Sequence, residues 1–335
     1  MTVYLGCYTD GANTNGLKSL SLDTASGEMS ITSEYPVSMA IYQALSGDGK
    51  FLYSSTGNGI ASFRIDRSVP DGRLEAVDTV DLGHCPCHVA ALPGRVAYAV
   101  YLEGFAGSVP VKDGRFGQAV KHQHSGSGPN LPRQNSAHCH QASLLPDGSG
   151  YVVCDLGLDE LVEYPSGRRT KMQPPGAGPR HLIFHPNGCL VFLVSELGNL
   201  VSSLSWGAAD GFRILDTLPT LPPGDTGRGP NGDLAAAVRF TPDMKHIAVS
   251  NRGDNSIVVY GFDETTGKLS FKARSMLEGS WPRDFIFATP DIALAAMERS
   301  GTVLSLRYDA ASGKFTKLSA VEGLYRPVSL LGLAR

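Results

Sequence analysis

One repeat constrains this chain more than any other feature. An apolar run, a turn of the Pro-Asp-Gly type and a second apolar run recur along most of its length. The unit reads QALSGDGKFLYSS, HVAALPGRVAYAV, HQASLLPDGSGYVVCD, HLIFHPNGCLVFLVSE, AVRFTPDMKHIAVSN and FIFATPDIALAAM. Its turns, at Asp48, Gly94, Asp147, Asn187, Asp243 and Asp291, stand 46, 53, 40, 56 and 48 residues apart. A period of that size, with two hairpins per unit, is the signature of propeller blades. Third and fourth strands follow, as in SIVVYGFDETTGKLSFKARS and TVLSLRYDAASGKFTKLSAV. There the turn ends in glycine, which enters positive φ without a Cβ clash. The 39 glycines and 21 prolines fall between the apolar runs, where turns belong.

Six units occupy residues from about 40 to 325, and the two ends complete the count. VYLGCYT and GLKSLSLDTASGEMSITSEY lack a first strand, while RPVSLLGLAR is a strand without a hairpin. Joined, they make a seventh blade and close the ring, so that no strand edge stays unpaired. The expectation is an all-β chain forming one domain over residues 1–335. It is a seven-bladed β-propeller of four-stranded blades, whose N- and C-terminal strands share a blade. A β-sandwich pair and a β-helix are the alternatives, and the four-strand units disfavour both. No long amphipathic helix is visible.

Composition narrows the function classes. With 29 basic and 32 acidic residues the net charge is −3, and no basic stripe marks a nucleic-acid partner. MTVYLGCYTD has neither a positive segment nor an apolar run of a secretory leader, and nothing reaches the ~20 apolar residues of a membrane span. The expectations are a cytoplasmic location, no membrane, and six cysteines held as thiols. A closed ring needs no partner to cover edges, which makes a monomer the default and a dimer the alternative.

In a propeller the innermost strands surround a channel, so polar residues at their starts converge. His88, His140 and the pair Arg180-His181 stand at such starts. Glu196 and Arg252 end the second strands of the fifth and sixth blades. Metal binding by His84, Cys85, Cys87 and His88, or by His138, Cys139 and His140, is disfavoured. Strand alternation sends neighbouring side chains to opposite faces. GSGP lacks the Lys-Ser/Thr of a nucleotide loop, and no Gly-x-Ser-x-Gly elbow is present. His122 and His124 fall in a Gly/Ser-rich loop and are expected to be solvated.

Several stretches, in order and at blade spacing, resemble the seven-bladed lactonase propellers, a family holding propeller-type 6-phosphogluconolactonases and fungal carboxymuconate-lactonizing enzymes. They are VYLGCYTDGANTNGL, HCPCHVAAL, HSGSGPNLPRQNSAHCHQ with PDGSGYVVCDLGLDELVEY, GPRHLIFHPNG with SELGNLV, AAAVRFTPDMKHIAVSNRGDNSIVVY, and WPRDF with its Arg283. The third blade departs from the pattern with YAVYLEGFAGSV, and the loop YPSGRRTKMQPPG is short.

The resemblance implies metal-independent, cofactor-free chemistry on a small-molecule lactone, with an active centre at His140, Arg180, Glu196 and Arg252. Lactone hydrolysis needs a base for water, a charge partner for the oxyanion and a proton for the ring oxygen. Either His140 or Glu196 is the base, and Arg180 and Arg252 hold the anionic substrate. Arg133, Gln134 and His138 in the distinctive loop, with Arg283, are candidate substrate contacts; His88 and His181 are orienting groups. The leading expectation is hydrolysis of 6-phospho-glucono-δ-lactone. Cycloisomerisation of a carboxymuconate and a non-catalytic binding scaffold are the alternatives.

Overall fold

The middle strands of each unit are apolar almost throughout, as in Ile292–Met297 (IALAAM), which is buried at every position. The outermost strands are largely exposed, as in Met29–Tyr35, where no position is fully buried. That contrast is what stacked sheets demand: inner strands are covered on both faces and outer ones on part of one. The computed structural model describes residues 1–69, 71–222 and 232–333. They form seven antiparallel sheets.

Blade 1 joins the two ends of the chain, with Pro327–Leu333 pairing Thr2–Cys7 in register Thr2↔Leu333 and Leu5↔Leu330. Blades 2 to 7 follow in chain order. Their innermost strands are Gln43–Leu45, His88–Leu92, Cys139–Leu144, Pro179–Phe184, Leu234–Phe240 and Pro282–Phe287. Each innermost strand lies against the next, and Pro327–Leu333 touches both Gln43–Leu45 and Pro282–Phe287, so the ring is closed. Between each neighbouring pair of blades lies a hydrophobic cluster. Blade 7, for example, packs Leu294 and Val303 against Val3, Leu5 and Leu20 of blade 1. The seven-bladed, all-β expectation is met, and the shared blade falls where the chain ends placed it.

Blade 3 carries one local difference. Its outer strand is split into Arg115–Phe116 and Val120–Gln123, both paired with Phe105–Lys112. Pro110 sits between the two pairings and has no N–H to give the ladder. No helix among the described residues is long and apolar enough to cross a membrane.

Blades meet so closely near the channel that backbone touches backbone. A Cβ on Gly6 would stand 2.0 Å from the Ala40 carbonyl oxygen and 2.3 Å from Ser329 Oγ. Rotamer changes do not relieve a clash with a carbonyl, so Gly6→Ala is expected to cost about 1–3 kcal/mol. Gly11→Ala, where nothing lies within 4 Å, serves as the control. Urea unfolding of both variants checks this; equal midpoints would show that blades 1 and 2 separate freely.

Candidate active site

The polar residues gather at one end of the ring because antiparallel pairing puts the start of each first strand beside the end of its second. Register shifts then aim particular side chains. In blade 4, Cys139 pairs Asp155 and Gln141 pairs Cys154, which leaves His140 as the extra residue of a β-bulge. The same shift leaves Arg180 extra between Pro179 and His181, and Arg283 extra between Pro282 and Asp284. Bulges re-aim a side chain at the rim of a sheet. Here they deliver a histidine and two arginines.

A cavity of about 480 Å³ opens at this end, walled by His140, Glu196, Arg133, Arg252, Arg283, Glu298, Arg299 and Arg326 among others. Glu196 is its most heavily contacted acid. Its Oε1 accepts from Arg133 Nη2 at 2.6 Å; its Oε2 meets Arg252 Nη2 at 2.6 Å and Arg180 Nε at 3.0 Å. Burial opposes its ionisation, yet the charges of Arg252, Arg180 and Arg133 outweigh that and hold the carboxyl well below its usual range. His140 Nε2 lies 3.9 Å from the same Oε2, too far for a hydrogen bond. Burial first, then the Arg180 charge, keep this imidazole neutral far below the ordinary histidine range.

A second acid repeats the pattern. Glu298 Oε2 meets Arg283 Nη1 at 3.3 Å, and Oε1 meets Arg326 Nη2 at 2.5 Å. Both arginines also lie over the Tyr8 ring, at 5.6 and 4.2 Å from its centroid. Six guanidiniums, Arg180 included, therefore face two carboxylates, a local excess of four positive charges. The cysteines on the wall add no nucleophile: burial pushes Cys85 and Cys87 up to about 12.

The structure sorts the remaining candidates. Arg180 lies beneath Glu196 instead of on the cavity wall; its Nη1 donates to the Ala236 carbonyl at 2.5 Å, and burial lowers it to about 9. It supports the carboxylate, and Arg133 takes the exposed place expected of it. Gln134 is fully buried, its Nε2 donating to Leu156 O at 2.7 Å and Asp159 Oδ1 at 2.8 Å, so it shapes its loop. His138 stacks on Tyr101 at 4.4 Å and stands behind that wall residue. His88 and His181 lie deeper, in a run of rings from Tyr42 to His88 at 3.9 Å, His181 at 5.4 Å and His140 at 5.2 Å.

His124 corrects an expectation. It is buried, its Nδ1 2.7 Å from Asp155 Oδ2 and its Nε2 2.8 Å from Tyr164 OH. Asp155 Oδ1 meanwhile accepts the N–H groups of His138 and Leu158, at 2.9 and 3.0 Å. Cys139 Sγ, 3.4 Å from His124 Nδ1, completes a compact trio. These bonds tie the Gly/Ser-rich loop to blade 4 and seat the bulge that presents His140.

Tyr8, Tyr101, Trp281, Glu298, Arg299 and Arg326 went unnoticed in the sequence. A signal existed: Tyr8, Tyr101 and Glu298 each follow the last residue of their blade's second strand, the position Glu196 holds in blade 5.

Comparison with known proteins agrees with this architecture. The family model "Lactonase, 7-bladed beta-propeller" matches residues 2–331. A 6-phosphogluconolactonase of Bacillus subtilis is 31% identical over 345 residues, covering 97% of this chain and 96% of the relative. A putative 6-phosphogluconolactonase of Bacteroides fragilis superposes with TM-score 0.87 at 27% identity, over 98% of this chain and 97% of the other. A periplasmic gluconolactonase of Pseudomonas aeruginosa superposes with TM-score 0.89 at 27% identity, over 99% of each chain. The chain belongs to the seven-bladed β-propeller lactonase family.

Proposed function

We propose that this lactonase hydrolyses 6-phospho-glucono-δ-lactone to 6-phosphogluconate in the Glu196 cavity. The observation that carries the reading is His140, 3.9 Å from Glu196, on a cavity wall whose five arginines outnumber its two carboxylates by three positive charges. A dianionic phosphate and a developing oxyanion together match that excess. The names of the Bacillus subtilis and Bacteroides fragilis relatives point the same way.

In this reading His140 is the base. Its Nε2 takes a proton from water as the water oxygen bonds to the lactone carbonyl carbon. Arg252 and Arg133 face the oxygen that becomes negative. Both Glu196 oxygens are already engaged by three guanidiniums, whereas His140 Nε2 is not hydrogen-bonded to that carboxylate and is left to meet water. Glu196 fixes those arginines and, at 3.9 Å, favours the imidazolium once that forms. The intermediate then collapses: the carbon–ring oxygen bond breaks, and the imidazolium returns its proton to the leaving oxygen. Neither metal nor cofactor is needed for these steps.

Proton release on a small panel tests the reading, with each rate set against the uncatalysed one. The panel holds 6-phospho-glucono-δ-lactone, glucono-δ-lactone and a carboxymuconate. The phosphorylated lactone is expected to have the highest kcat/KM. No acceleration on either lactone, with or without turnover of the muconate, overturns the proposal.

A further inference from the structure

Four of the five wall arginines are committed to a carboxylate: Arg133 and Arg252 to Glu196, Arg283 and Arg326 to Glu298. Arg299 is different. Its guanidinium meets no carboxylate within ion-pair distance among the described residues, and it lies over the Trp281 ring, 3.3 Å from the centroid. The residue is exposed at the cavity mouth. A guanidinium resting face-on against an indole keeps its N–H donors free at its edge. That edge is the fork that grips phosphate oxygens in pairs.

Trp281 is itself held in an unusual way. Its φ is +74°, a left-handed conformation that a bulky residue seldom adopts. Its N–H donates to Asn255 Oδ1 at 2.8 Å, and its carbonyl accepts the Glu298 N–H at 2.9 Å. The Arg299 N–H donates to the Ser280 carbonyl at 3.1 Å, so the ring and the arginine are stitched side by side. A glycine would hold this turn without strain; a buried tryptophan stands there instead, 6% exposed. Strain of this kind collects where a side chain has a task. The same ring carries Arg252 at 5.7 Å, and Arg252 reaches the Glu196 centre at 2.6 Å. Trp281 thus spans the distance from the reacting centre to an uncommitted cation at the mouth.

We infer that Arg299, seated on Trp281, is the phosphate-recognition residue, the group by which this cavity prefers a phosphorylated sugar lactone to a neutral one. The inference rests on the lactonase reading. The lactone carbonyl lies toward His140 and Arg252, and the phosphate toward Arg299. Because Arg299 is exposed, its pull on the phosphate weakens as salt rises.

Two measurements test this. In Arg299→Gln, the ratio of kcat/KM for 6-phospho-glucono-δ-lactone to that for glucono-δ-lactone is expected to fall roughly 10- to 100-fold, mostly through KM. Arg299→Lys should restore part of it, since the charge returns without the fork. An unchanged ratio overturns the inference and leaves the lactonase reading standing.

The second measurement does not need turnover. The chain has two tryptophans, so Trp206→Phe leaves Trp281 as the sole indole reporter. Its emission should respond to 6-phosphogluconate at concentrations where gluconate has no effect, and Arg299→Gln should abolish that difference. Equal responses to the two acids overturn the inference. An Arg299-dependent response in a protein that turns over neither lactone overturns the lactonase reading alone.

Discussion

Replacing His140 with glutamine is expected to lower kcat on 6-phospho-glucono-δ-lactone by about 10²–10⁴-fold, the usual contribution of a positioned general base. KM should move little, because the anion-holding arginines remain. The side chain is buried behind Tyr101, with ring centroids 5.6 Å apart, and glutamine preserves polarity without titrating. A pH profile separates the two candidate bases. Burial and Arg180 hold His140 neutral well below 6.5, so the acid limb of kcat/KM falls well below the ordinary histidine range. His140→Gln should remove that limb together with the rate. If the variant keeps both turnover and limb, the proton goes to Glu196 and the mechanism given above is wrong. Steady-state proton release from pH 4.5 to 8 decides between them.

Much of the architecture was legible because a closed ring writes itself into the chain as a repeat. The missing strand at one end and the spare strand at the other announced the shared blade between Thr2–Cys7 and Pro327–Leu333. Residue types at strand starts also marked the channel, and His140, Glu196, Arg133, Arg252 and Arg283 do line one cavity. Depth was not legible. A β-bulge shifts register by one residue without disturbing the apolar pattern, so nothing distinguished His140, which reaches the cavity, from Arg180, which ends beneath it. His124 misled for a related reason. Its neighbours are glycines and serines, but its partners, Asp155 and Tyr164, lie 31 and 40 residues away. The acid–arginine group around Glu298 was overlooked because MERSG reads as an ordinary polar turn. Its meaning emerges only when blade 7 is laid over blade 5 and Glu298 falls where Glu196 stands.

The protein should lose stability steeply as pH falls below 6.5, before its carboxylates begin to titrate. His88 and His181 are buried beneath the cavity, in ring contact with each other and with the buried His140 on its wall. Burial, then the charge of Arg239 and Arg180, lowers His88 to about 3; burial and Arg180 also carry His140 and His181 well below 6.5. The unfolded chain protonates these histidines near 6.5, while the folded chain does not until far lower pH. Between those limits the unfolded state binds more protons, so stability is full above about 6.5 and declines as pH drops. At pH 5.5 each histidine should cost on the order of 1 kcal/mol relative to pH 7.5, and the three together a few kcal/mol. The Glu196 contribution has the opposite origin, a depressed carboxylate, and is lost only below the usual carboxylate range, outside this interval. Urea unfolding at pH 7.5 and 5.5 measures the difference. His88→Phe should reduce it by about a third, because that ring lies tilted against Tyr42 with centroids 3.9 Å apart and a phenyl group keeps the contact without the proton. A variant whose stability falls with pH as steeply as the parent's would place the acid sensitivity elsewhere. It would also remove the ground for a neutral His140, since the same burial and the same arginine act on all three rings.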